Sequence, residues 1–154
     1  VSSEEQKTTV RVVEDIVEFQ HPTSKRWLIL ENSDNHSLWA YFTKPAELQV
    51  CSRVIVVSRV SPTSDEEMRN YRYRGELPPP ITRTFASARG VFAEAPTLEI
   101  RWGLSGESVC IAVEGEPWVL LADSMPVGMS KTISRDGKWF GLAWDESQYH
   151  AKFV

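Results

Sequence analysis

Apolar residues in this chain arrive in short bursts, each closed by glycine, proline or acidic residues, and that rhythm constrains the fold more than any single motif. Arg26-Trp27-Leu28-Ile29-Leu30 and Leu38-Trp39-Ala40-Tyr41-Phe42 flank a polar stretch at 31–37, the pattern of a β-hairpin. Residues 49–60 follow as a strand apolar on both faces, which belongs near the middle of a sheet. Residues 84–94 read as one strand with Gly90 at a bulge, and in the next segment Leu98, Ile100, Trp102 and Leu104 share a face against Glu99 and Arg101. Residues 105–107 turn the chain into a strand at 108–113, Glu114-Gly115-Glu116-Pro117 turns it again, and 118–122 is apolar throughout. After a methionine-containing loop, Asp136-Gly137 separates 132–135 from 138–144. It is the sharpest hairpin signal present, because this dipeptide tolerates the positive φ of a tight turn.

Residues 9–19 are ambiguous: Val10, Val12, Val13, Ile16, Val17 and Phe19 suit a helix face or a bulged strand, and β-branching favours the strand. The total is about nine to eleven strands, which predicts an all-β, mainly β fold built as a two-sheet sandwich or a closed barrel. With 154 residues the chain has room for one core, so the expected organisation is a flexible tail at 1–8 and a single β-rich domain at 9–154. No internal repeat points to a propeller or solenoid.

The longest departure from the β rhythm lies at 61–82. Ser64 and Glu67 have capping-box spacing for one short helix near 65–71, and Pro78-Pro79-Pro80 favours an extended polyproline stretch. Between them lies Arg69-Asn70-Tyr71-Arg72-Tyr73-Arg74, in which three cations interleave with two phenols. Arg and Tyr are enriched at protein-interface hot spots, and the same pair serves nucleic acids by stacking on bases and meeting phosphates. The plainest reading is an edge strand with alternating exposed Arg and packed Tyr. Arg69, Tyr71, Arg72, Tyr73 and Arg74 are the candidate binding residues, joined by Trp139, which is out of phase with Phe140, Leu142 and Trp144 and free to face solvent. Trp102, Trp118 and Trp144 fall on apolar faces and read as core.

Catalytic signals are sparse. His21, His36 and His150 are scattered, with no metal-ligand spacing to one another or to a cysteine, so neither a metal site nor a cofactor is expected. No P-loop, nucleophile elbow or dinucleotide fingerprint occurs. The carboxylate pairs Glu14-Asp15, Glu114/Glu116 and Asp145-Glu146 read as solvated edge charges. A formal net charge of −4 weighs against a polyanionic partner. No apolar run approaches the roughly 18 residues of a membrane span.

Cys51 and Cys110 read as two buried free thiols, with a disulfide as the rival. If they pair and the amino terminus is processed, an extracytoplasmic location follows. Asn35-His36-Ser37 has the form of a glycosylation acceptor. The expected function is a non-catalytic β-rich binding domain that recognises another protein, in an inhibitor, immunity or assembly-factor role. The alternatives are an oligonucleotide-binding-barrel-like module and a small-ligand barrel or enzyme with a non-local site.

Overall fold

The computed structural model describes residues 7–33, 36–73, 80–137 and 140–153, apart from the side chains of 68 and 71–73. The protein is mainly β, as the apolar rhythm requires, and its strands form one curled half-barrel sheet. Among the described residues ten strands lie along the chain: β1 Lys7–Val10, β2 Ile16–Gln20, β3 Trp27–Ser33, β4 Ser37–Thr43, β5 Val50–Ser58, β6 Leu98–Trp102, β7 Ser108–Val113, β8 Glu116–Ala122, β9 Met125–Ser130 and β10 Leu142–Ala143. Helix α1 spans Asp65–Tyr73 and helix α2 spans Glu146–Lys152. The spatial order is β1-β6-β7-β8-β9-β5-β4-β3-β2, with β10 beside β9.

Antiparallel neighbours make up two ladders, β1-β6-β7-β8-β9 and β5-β4-β3-β2, joined by a parallel contact at Arg53↔Val127. The sheet curls so that both ladders wall one interior, filled by Leu28, Leu30, Phe42, Ile100, Ile111 and Leu121, all fully buried. Burying one such side chain contributes roughly 1.5–3 kcal/mol, so these positions hold the two ladders together. Strand alternation sends Leu120, Ala122 and Met129 to the outer face, where α2 covers them with Tyr149 and Phe153. Among the described residues the ends of the order, β1 and β2, carry no ladder to each other, so the curled sheet keeps a seam.

Several local expectations change. The segment at 9–19 splits into β1 and β2, because residues 11–15 cross one end of the fold. There Asn32 receives them, its N–H donating to Asp15 O at 2.8 Å and its Nδ2 to Glu14 O at 2.8 Å. Pairing of β1 starts at Lys7, so the last two residues of the expected tail belong to the sheet. Residues 84–94 are not one strand: Ser87 N donates to Thr132 O, Ser134 N to Phe85 O and Phe92 N to Ser58 O, three scattered partners in place of one ladder. Gly90 closes a 3-10 turn there, and a Cβ on it would lie 2.6 Å from Thr132 Cγ2.

The methionine-containing loop is strand β9. Its Pro126 sits exposed, and its Gly128 permits close approach to β8, since a Cβ there would lie 2.7 Å from Leu120 O. Around Asp136-Gly137 the closure is wider than a two-residue hairpin. Gly137 and Gly141 exchange backbone hydrogen bonds at 2.9 and 3.0 Å, and the chain continues into β10, parallel to β9. Gly141 holds φ 136°, and Asp136 Oδ1 accepts from Ala143 N at 2.9 Å, which turns the strand away from 132–135. The turn expected at 114–117 is tighter than that: Glu114 and Gly115, with φ of 49° and 84°, link β7 to β8, and Glu116 and Pro117 already belong to β8.

Helix α2 carries no expectation from sequence, yet its start is signalled by Asp145, whose carboxylate accepts from Ser147 N and Gln148 N. Both thiols are free, with Cys110 buried and Cys51 half-buried. Among the described residues no helix is long and apolar enough to cross a membrane.

Candidate functional site

The 65–71 helix expected from the capping box is present and slightly longer, as α1. Ser64 Oγ accepts from Glu67 N at 3.2 Å, and Thr84 Oγ1 donates to the Asp65 carboxylate at 3.3 Å. A parallel bridge between Thr63 and Thr82 fixes the base of the excursion to the body. Beyond that base, Asp65, Glu66, Glu67, Arg69 and Asn70 are all exposed. A nine-residue helix is marginal on its own. Its cap and the acidic first turn, which complements the helix dipole, supply the local support.

Helix in place of edge strand redistributes the Arg/Tyr run. Positions 69, 72 and 73 follow one side of the helix at i, i+3 and i+4 spacing, and position 71 lies on another. Arg69 is therefore placed as an exposed residue, and Tyr71, Arg72 and Tyr73 are placed by backbone on the last turn. Arg74, Trp139, Asn35, Pro78 and Pro79 lie outside the described residues.

One end of the fold is organised around Arg26, a charged residue only 5% exposed that sequence reading did not single out. Its guanidinium donates to Thr43 O at 3.1 Å, Asp123 Oδ1 at 3.1 Å and Glu107 Oε2 at 3.0 Å, and lies 5.4 Å from the Phe42 ring centre. It thereby ties the ends of β4, β7 and β8 together. Cys51 sits beside it, with Sγ 3.7 Å from Nη1, yet burial outweighs the cation and pushes this thiol's pKa up. A raised pKa means little thiolate, the opposite of an activated nucleophile.

Next to this cluster His21 makes the turn between β2 and β3. Its Nδ1 accepts from Thr23 N at 3.2 Å and Ser24 N at 3.0 Å. An imidazole nitrogen that accepts two backbone donors is unprotonated, so the single proton of the neutral ring is on Nε2. Burial lowers the pKa of His21, with Glu107 opposing it, which agrees with the neutral form. Nε2 itself is buried without a hydrogen-bond partner. His21 also lines a groove of about 390 Å³ with Thr8, Glu18, Phe19, Gln20 and Trp102, at the seam between β1 and β2.

A second groove, about 540 Å³, runs between β9, β10 and α2. Met125, Met129 and Leu142 give it an apolar floor, and Asp136, Asp145, Gln148 and Lys152 a polar rim. Of the paired carboxylates, Glu14 and Asp15 are exposed, whereas Glu114, Glu116 and Asp145 hold structural hydrogen bonds. Glu116 accepts from Lys131 at 2.7 Å and from Arg89 at 2.9 Å, hydrogen bonds that hold its pKa below the usual carboxylate value. Glu114 accepts from Thr97 N, and Asp145 caps α2. Among the described residues no group of three or more His, Cys, Asp or Glu is placed to hold a metal ion.

Of the tryptophans read as core, Trp118 is buried, and its Nε1 donates to Val56 O at 3.1 Å and Thr132 Oγ1 at 2.9 Å. Trp102 and Trp144 are half-buried at the seam and against α2. The arrangement therefore offers a projecting helix, an amphipathic groove and a seam on an otherwise close-packed β body. No protein-family model, curated protein or solved structure matches this chain.

Proposed function

We propose that this chain is a non-catalytic β-rich domain that recognises another protein, with α1 and the residues that follow it as the contact element. The observation that carries the reading is α1 itself: its described side chains are exposed, while its base is bridged to the sheet at Thr63 and Thr82. A scaffolded excursion of this kind fits recognition, because a rigid body sets its position and little of its own surface is spent on packing. Arg69 is exposed for contact, and Tyr71, Arg72, Tyr73 and Arg74 continue the segment in residue types favoured at interface centres. The net charge of −4 supports a protein over a nucleic acid as partner.

The test compares affinity capture from the native source by the full chain and by a Tyr71→Ala/Arg72→Ala/Tyr73→Ala variant, followed by titration of each purified captured protein. The reading expects a partner whose affinity falls at least tenfold in the variant, about 1.4 kcal/mol or more. Identical capture and identical affinities would show that α1 is not the contact element.

A second reading, a small-ligand domain, is favoured by the groove between β9, β10 and α2, whose volume of about 540 Å³ and apolar floor suit a small molecule. Its two rim aspartates, Asp136 and Asp145, favour a ligand carrying a cationic group. A thermal-shift screen of amphipathic amines distinguishes this reading, since stabilisation by such a ligand would be lost in Met129→Lys.

A further inference from the structure

The outer face of the sheet is covered by an element that cannot hold itself in place. Leu120 and Ala122 of β8 and Met125 and Met129 of β9 form an apolar strip in which no residue is more than 7% exposed. Half-buried Trp144, Tyr149 and Phe153, on α2 and at its two ends, pack against that strip. The helix is seven residues long and holds no buried residue, with Glu146, Ser147, Gln148, His150, Ala151 and Lys152 all exposed. Two turns of helix do not persist alone in water, so α2 depends on the strip for its fold as the strip depends on α2 for its cover.

Little fastens the two together. Among the described residues no main-chain hydrogen bond joins α2 to a strand. Its own bonds, Tyr149 N to Asp145 O at 3.0 Å and Phe153 N to Tyr149 O at 2.9 Å, stay within the segment. The ties to the body each involve a side chain: Lys152 Nζ donates to Ser124 Oγ at 3.1 Å, Asp145 N donates to Met129 Sδ at 3.4 Å, and Tyr149 hydrogen-bonds the Arg101 side chain. Part of the aromatic surface is spent inside the segment, where Tyr149 stacks on Phe153 at 5.6 Å and meets Trp144 at 5.1 Å. Two grooves border it. The groove of about 540 Å³ runs along Asp145, Gln148 and Lys152, and another of about 470 Å³ lies at the carboxyl end, beside Ala151, Lys152 and Phe153. Ser124 and Lys152 line both, so their hydrogen bond is a bar between the two.

We propose that α2 is a strap: residues 146–153 lift from the outer face as one unit, hinged at Asp145, while both ladders stay paired. Closed, the strap withholds Leu120, Ala122, Met125 and Met129 from solvent. Lifted, it uncovers them and merges the two grooves into one open face. Openings below the global unfolding free energy belong to units with few buried contacts, which is the condition of α2. The strap operates whether α1 or the groove is the contact surface.

The experiment follows amide hydrogen exchange and hydrogen-peroxide oxidation of Met129 on the full chain, alongside Asp145→Ala and Phe153→Ala. In the wild type the hydrogen-bonded α2 amides should share one protection factor, about a hundredfold or more below that of the β7 amides. Asp145→Ala removes the cap that accepts from Ser147 N and Gln148 N, and should speed exchange of all these amides together by about fivefold. Met129 oxidation should rise in step, with β7 exchange unchanged. Phe153→Ala should act in the same direction by weakening the contact with the strip instead of the helix. The proposal is overturned if α2 amides are as protected as those of β7, or if both variants speed β7 exchange equally, since α2 would then open only with the whole domain. It is also overturned if the α2 amides exchange one after another from the carboxyl end while Met129 oxidation stays unchanged in both variants, which is fraying without release.

Discussion

Replacing Arg26 with methionine keeps an unbranched apolar stem and removes the guanidinium, which isolates what the buried charge contributes. Its carboxylate partners are solvated: the side chains of Glu107 and Asp123 are 60% and 53% exposed, against 6% for Arg26. Both carboxylates rehydrate when the cation is lost, so each ion pair accounts for only about 0.5 kcal/mol. The larger loss falls on Thr43, a fully buried residue whose carbonyl loses the guanidinium as donor, a penalty of about 1–2 kcal/mol. The cation over Phe42 contributes about 1 kcal/mol more. Arg26→Met should therefore lose about 3 kcal/mol in urea unfolding followed by tryptophan fluorescence. Glu107→Gln and Asp123→Asn should each lose less than about 1 kcal/mol. A cost under about 1 kcal/mol for Arg26→Met, or a carboxylate variant as costly as the arginine variant, would contradict these contributions.

Gly141→Ala should destabilise by about 2 kcal/mol or more in the same assay, because φ is 136° and a Cβ would lie 2.4 Å from Val54 Cγ2. Trp118→Phe should lose about 1–2 kcal/mol through its two buried hydrogen bonds, with little change in circular dichroism. The folded pKa of His21 is depressed below its ordinary 6.5, so its contribution is complete above that pH and is lost as pH falls through the folded value. Wild type should lose stability in that acid window relative to His21→Asn, and parallel pH profiles would contradict the neutral-ring assignment. Burial pushes the Cys110 thiol up to about 12, so it should resist alkylation at neutral pH until the protein unfolds, while half-buried Cys51 reacts first.

The β class was legible because the deciding information is local: Leu98, Ile100 and Trp102 alternate with Glu99 and Arg101, and Glu114-Gly115 supplies its own turn geometry. The Ser64/Glu67 cap likewise announced α1 within four residues. What stayed hidden depends on distant partners. Nothing at 84–94 says that its backbone donors and acceptors will meet Thr132, Ser134 and Ser58 separately, nor does Met125-Pro126-Val127-Gly128 show the strand partner that makes it β9. Arg26 opened the expected strand segment at 26–30 with nothing nearby to mark it for burial, since the carboxylates that receive it lie 81 and 97 residues away. The seam could not be read at all, because sequence order gives no hint that β1 and β2, neighbours along the chain, end up at opposite ends of the sheet order.

The proposed role makes α1 the element that meets another protein, with the β body as its mount. Amide hydrogen exchange of the full chain, alone and saturated with its captured partner, tests this at residue level. Slowed exchange concentrated at Asp65–Tyr73, with β4, β5, β7 and β8 unchanged, is the predicted result. Unaltered exchange along that helix, with protection confined to the groove beside α2, would contradict it.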